Sequence, residues 1–144
     1  MQHRDELLHI AADFDGGDAS AAAVATRGAI ELGAGWLPSL MQFMDSAAMA
    51  FGKEERLRRL SARPSEILQR QFFATPYPHE NVGWIINNVG EDMCLFSSDF
   101  PHVEGGRNPL KRFNESLDGC SERAKRRFYR DNFIEMMGQG LAAD

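Results

Sequence analysis

Ten residues constrain the fold of this chain more than any others: Met93-Cys94-Leu95-Phe96-Ser97-Ser98-Asp99-Phe100-Pro101-His102. Cys94, Leu95 and Phe96 form an apolar run of the kind found in strands covered on both faces. Ser97 and Ser98 bring the run to a polar end, and Asp99 stands where a parallel strand hands over to a loop. Pro101 has no N–H to give a ladder, so the strand stops before it. In parallel α/β architectures the carboxyl ends of strands are where ligands bind. A carboxylate, a proline and an imidazole within four residues there point to a metal or acid–base site. The plainer alternative is a turn capped by Asp99.

The rest of the chain supplies the helices such a strand needs. Leu37, Leu40, Met41, Met44, Ala48 and Phe51 recur at three- and four-residue spacing and predict a helix, with Pro38 in its first turn and Gly52 ending it. Lys53 to Ser61 is a charged helix or turn, interrupted by Pro64, after which Ser65 can cap a helix over Glu66 to Arg70. Gln71 to Thr75 reads as a strand, and Pro76-Tyr77-Pro78-His79 as a rigid loop at its end. Glu80 to Val89 is amphipathic, with Val82, Ile85, Ile86 and Val89 inward and Gly90 as a cap. Met93 to Ser97 is the next strand. Asn108-Pro109 then opens a helix carrying Leu110, Phe113 and Leu117. Ser121 caps a last helix through Met137, with Ala124, Phe128 and Phe133 inward and Gly138 stopping it. Such alternation predicts βαβ units and a parallel sheet.

Upstream, Met1 to Ala12 can form a short helix, and Asp13 to Ser20 (DFDGGDAS) is a flexible loop. Its aspartates do not make an EF-hand, because the twelfth position from Asp13 is Val24 and not glutamate. Ala21 to Ile30 is ambiguous between helix and strand. With 144 residues and 43% hydrophobic content, the chain can bury one core. A net charge of −5 argues against nucleic acid as a partner, and the basic stretch Arg123 to Arg130 reads as a solvated helix face. Two cysteines without a paired framework, an acidic start without an apolar core and no long apolar run predict a reduced, cytoplasmic protein with no membrane association.

Four segments carry a resemblance. Glu31-Leu32-Gly33-Ala34-Gly35-Trp36-Leu37-Pro38, Arg63-Pro64-Ser65-Glu66, the run ending Ser98-Asp99-Phe100-Pro101-His102, and Asn132 to Gly138 stand in one order. They resemble E-x-G-x-G-W-x-P, K/R-P-S-E, S/T-D-Y/F-P-H and N-x-x-x-x-x-G of the amidohydrolase-related, metal-dependent hydrolases, a family similar to the aminocarboxymuconate-semialdehyde decarboxylases. The resemblance spans Arg27 to Gly138 and implies two regions: 1–26, a helix and Gly/Asp loop, and 27–144, the carboxyl-terminal part of a (β/α)8 TIM barrel. The fold class is α/β, a partial barrel of about three parallel strands with flanking helices. Thr26 to Ile30 becomes the first of these, with Glu31 at its end and Gly33 and Gly35 in a tight strand-to-helix turn.

The resemblance also assigns chemistry. Asp99 inherits the role of a metal ligand, for Zn or alternatively Mn or another divalent ion. Glu31 and His79 join Asp99 as catalytic candidates, and His102 and Trp36 are substrate-loop candidates. Glu31 stands where decarboxylase members carry histidine. The family's H-x-H or E-x-H pair and a further strand-end histidine have no counterpart in this chain. A full barrel needs about 250 residues and eight strands. The expectation is therefore a fragment or truncated form of a metal-dependent hydrolase or decarboxylase. Its parent acts on a small carboxylate-bearing or cyclic substrate, and alone it holds metal weakly and is inactive. The alternative is a non-catalytic remnant that self-associates as a homo-oligomer or pairs with a missing N-terminal half.

Overall fold

The computed structural model describes residues 27–138, so the helix and loop expected within 1–26 lie outside the described residues. Strand β1 (Arg27–Ala29) pairs in parallel with β2 (Phe72–Ala74), Arg27 opposite Phe72 and Ala29 opposite Ala74. The third expected strand, Met93 to Ser97, is reduced to one parallel bridge between Ala74 and Cys94. Ala74 donates to the Met93 carbonyl at 2.8 Å, and Leu95 donates to the Ala74 carbonyl at 2.9 Å. The ladder goes no further because its next rung needs an N–H from residue 76, which is proline. On the side away from β2, Phe96 N–H donates to Phe128 O at 3.0 Å.

Helices α1 (Leu37–Ala50), α2 (Glu55–Arg58) and α3 (Pro64–Gln71) connect β1 to β2. Leu37, Met41 and Met44 of α1 are buried as their spacing requires. Phe51, expected on the same stripe, is exposed, because the helix ends at Ala50 and the chain turns away. Ser65, expected to cap α3, lies instead within the first turn, and its N–H and Oγ both donate to the Asp45 carboxylate of α1, at 2.9 and 2.7 Å. A carboxylate from one helix thus caps another.

After β2 come α4 (Val82–Val89), α5 (Pro109–Ser116), α6 (Glu122–Arg126) and α7 (Asn132–Met137). Asn81 caps α4 by accepting from Trp84 N–H, and Gln69 donates to the Val89 carbonyl at its other end. Gly83 lets α4 meet α5 closely, since a Cβ there would lie 2.3 Å from Ser116 O. Phe113 and Leu117 are buried, whereas Leu110 of the same helix faces solvent.

The last helix is not continuous. A widened π turn over Arg127–Asp131 separates α6 from α7, and Asn132 N–H donates five residues back to Arg127 O. Phe133, expected inward, is exposed while Asn132 is buried, because Asn132 stands four residues past Phe128 on the same helical face and Phe133 stands five past it, off that face. The Asn132 side-chain amide donates to Glu91 O and Cys94 O, each at 2.9 Å, and so ties α7 to the third strand segment. Phe128, in the same turn, packs edge-on to Phe113 at 5.1 Å and Phe96 at 6.1 Å.

The basic stretch is internally compensated. Arg123 pairs with Glu91 and Asp92, Arg127 with Asp92 and Glu135, and Arg126 and Arg130 with Asp131. Burial works against the Asp131 carboxylate, but the bonds from Arg126 and Arg130 hold it below the usual range. Cys94 is a buried free thiol, pushed up to about 12 by desolvation and then by the charge of Glu80, so it packs as a neutral group. Among the described residues no helix is long and apolar enough to cross a membrane.

Because Phe128 joins the strand segment, α5 and the π turn in one cluster, Phe128→Ala is expected to cost about 3–5 kcal/mol. Urea unfolding measures it, and a loss below about 1 kcal/mol would show that the cluster closes over the cavity.

Candidate metal centre

β1 and the Cys94 segment flank β2, and each runs into an unusual backbone turn. Glu31, two residues past β1, has φ 62, and Asp99 has φ 54. Left-handed backbone costs a non-glycine residue roughly 1–2 kcal/mol, and such residues cluster where ligands bind. Around Asp99 the chain spends its own polar atoms on the turn. Asp99 N–H donates to Ser97 Oγ, Phe100 N–H to Ser98 Oγ, and His102 N–H to Asp99 O at 2.8 Å. The Phe100–Pro101 peptide is cis. Gly105, in the helical turn Val103–Gly105, presses on this loop, since a Cβ there would lie 2.4 Å from Ser98 O.

These two turns bring Glu31, Asp99 and His102 together, with one donor atom from each within 4.8 Å of the others. His102 Nδ1 lies 3.4 Å from Asp99 Oδ1 and 3.8 Å from Glu31 Oε1. Asp99 is the sheltered member, with its side chain 12% exposed, against 63% for Glu31 and 58% for His102. Two carboxylates and an imidazole are the donor types that Zn or Mn accepts, and three of them leave coordination positions open.

His79 and Trp36 are placed elsewhere. His79 is exposed and stacks on Tyr77, ring centroids 5.4 Å apart and nearly parallel, outside the three-donor cluster. Trp36 donates its indole N–H to the carbonyls of Leu32 and Gly33 and lies edge-on to Phe72 at 5.9 Å. Its polar atom is used within the β1–α1 turn.

Glu80 has a position that the sequence did not reveal. Its carboxylate accepts from three backbone N–H groups: Ala34 at 3.0 Å, Gly35 at 2.7 Å and Tyr77 at 2.7 Å. It thus sits at the start of α1, where the helix dipole favours an anion. The two glycines of the E-x-G-x-G segment make room for it. A Cβ at Gly35 would lie 2.8 Å from Glu80 Oε1, and one at Gly33 would lie 3.0 Å from the carboxylate and from the Tyr77 ring. Tyr77 is half-buried, and its hydroxyl donates to Glu31 O at 2.5 Å. Desolvation first, then the charges of Asp99, Glu104, Glu31 and Glu80, raise the Tyr77 phenol, which keeps it a donor. A faint signal for Glu80 existed, an acid directly before the helix-capping Asn81, but its partners at the start of α1 are main-chain groups more than forty residues away.

No protein-family model and no curated protein matches the chain. Five chains among solved structures do. One is an amidohydrolase from Mycobacterium avium subsp. paratuberculosis K-10, 25% identical, with a TM-score of 0.71. The match covers 94% of this chain and 33% of that one, so this chain spans about a third of its neighbour's length. The fold is therefore similar to a part of an amidohydrolase, and the relation supports a hydrolase origin.

Gly33 has φ 66 in addition to its close neighbours. Gly33→Ala is expected to lower stability by roughly 1–3 kcal/mol. Thermal or urea unfolding reads this directly, and an unchanged midpoint would refute the tight approach of the Glu80 loop.

Proposed function

We propose that this chain is the carboxyl-terminal portion of an amidohydrolase-type β/α barrel and that Glu31, Asp99 and His102 are its share of a divalent metal centre. The parent reaction is metal-assisted hydrolysis, or non-oxidative decarboxylation, of a small carboxylate-bearing or cyclic substrate. The observation that carries this reading is the meeting of three ligand-type side chains beyond the ends of two segments that flank one parallel strand. The sheltered Asp99 is the principal ligand, with Glu31 and His102 beside it. Zn fits the donor set, and Mn is the alternative. A divalent ion held there supplies Lewis-acid polarisation of a substrate oxygen. In this reading Glu31 acts as a ligand, and His79, on the neighbouring loop, is a group that can orient substrate.

Two of the three donors are more than half exposed, so the chain alone is proposed to bind the ion weakly and not to turn over. Calorimetric titration with Zn(II) is expected to show binding that Asp99→Asn weakens at least about tenfold. Hydrolysis assays of the same protein are expected to give no metal-dependent rate. A rate that persists through repurification, requires the metal and vanishes in Asp99→Asn would overturn the inactive-fragment reading. Equal titrations of the two proteins would overturn the metal centre.

A second reading, association, is favoured by a specific surface. Phe100 and Val103, 86% and 92% exposed, stand beside the metal cluster, and Ile30 and Leu32 are exposed at the end of β1. In this reading a second copy, or a chain that supplies the remaining strands, covers them. Light scattering at micromolar concentration is then expected to give a mass above 16.1 kDa. A monomer with a cooperative thermal transition would count against it.

A further inference from the structure

Glu31 is held in place through its main chain. Its backbone lies in the left-handed region, its side chain is largely exposed, and His102 Nδ1 is 3.8 Å from its carboxylate. Among the described residues its carboxylate has no short hydrogen bond to fix its direction. The main chain is fixed instead, from the next loop of the sheet. Tyr77 donates its hydroxyl to Glu31 O, and Glu80 holds Tyr77 N–H with one carboxylate oxygen while gripping Ala34 and Gly35 N–H groups. The residue at the N-cap position of α1, Trp36, contributes no side-chain cap, so the carboxylate at this helix start comes from another loop altogether. Amide-to-carboxylate bonds are charge-assisted and short, which suits a rigid link. Both ends of the Glu31–Gly35 turn are therefore held by Tyr77 and Glu80, and Gly33 and Gly35 supply the clearance.

We infer that Tyr77 and Glu80 are positioning residues for the metal centre, a clasp that directs the Glu31 carboxylate toward Asp99 and His102. The inference rests on the metal reading proposed above. Neither residue touches the ion. Tyr77 acts on the Glu31 carbonyl, and Glu80 acts on Tyr77 and on the far end of the turn that Glu31 opens. The clasp is distinct from the ligand set, since the Glu80 carboxylate is committed to three amides.

The test is a double-mutant cycle on the full chain, read by Zn(II) calorimetry. Tyr77→Phe removes one hydroxyl and is expected to weaken Zn(II) binding about 10- to 100-fold, the range typical when the support of a ligand is lost, with a circular dichroism spectrum like the wild type. Glu31→Gln is also expected to weaken binding. In the Glu31→Gln background, Tyr77→Phe is expected to add less than about a twofold loss, because its effect runs through that carboxylate. A purely structural role would give the same loss in both backgrounds, and that result, or unaltered binding by Tyr77→Phe, would overturn the inference. Should the wild type bind no Zn(II), the metal reading falls, and amide exchange decides the clasp. Glu80→Gln is expected to speed exchange at Ala34 and Gly35 about tenfold or more, and unchanged exchange would overturn it.

Discussion

Two three-residue strands and one further bridge do not make a sheet that stands by itself. The strand ends hold their places because the helices bury an apolar layer against them. Leu37 and Met44 of α1, Leu68 of α3, Ile85 and Val89 of α4, and Phe113 and Phe128 beyond are all removed from water, with Met93 and Cys94 among them. Each such side chain contributes on the order of 1.5–3 kcal/mol. Polar atoms then set the registry that apolar packing leaves loose. Asp45 fixes α3 to α1, Gln69 fixes α3 to α4, and Asn132 fixes α7 to the third strand segment.

Much of this was legible in the order of residues. The apolar stripe of α1 comes directly from three- and four-residue spacing, and Gly90 sits at positive φ at the end of α4 as its position suggested. Asp99 and His102 could be singled out because proline and a polar turn mark the end of an apolar run. Where reading failed, the deciding partner lay far along the chain. The third strand is cut short because its next rung on the β2 side falls at Pro76, about twenty residues back, which has no N–H to give. Phe133 is a different case, since it stands five residues past Phe128 and so off the face that Phe128 and Asn132 share. Glu80 escaped notice for a related reason. Its partners are backbone amides, which leave no residue type to recognise.

The structure also gives the glycines of the E-x-G-x-G segment a definite meaning. They are less a flexible hinge than a recess cut to the size of a carboxylate. Loop positions of this kind carry function because the scaffold beneath them is rigid. Here part of that rigidity comes from a neighbouring loop, so the β1–α1 and β2–α4 connections behave as one unit.

One consequence concerns the sign of the field at this edge of the molecule. The amides at the start of α1 are already occupied by the chain's own Glu80, which leaves them unable to receive the anionic group of an incoming molecule. The charges felt by the Tyr77 phenol, those of Asp99, Glu104, Glu31 and Glu80, are all negative. A face of that sign draws cations and repels carboxylates. A molecule bearing a carboxylate therefore meets an unfavourable potential on this face, and one bearing a positive charge a favourable one.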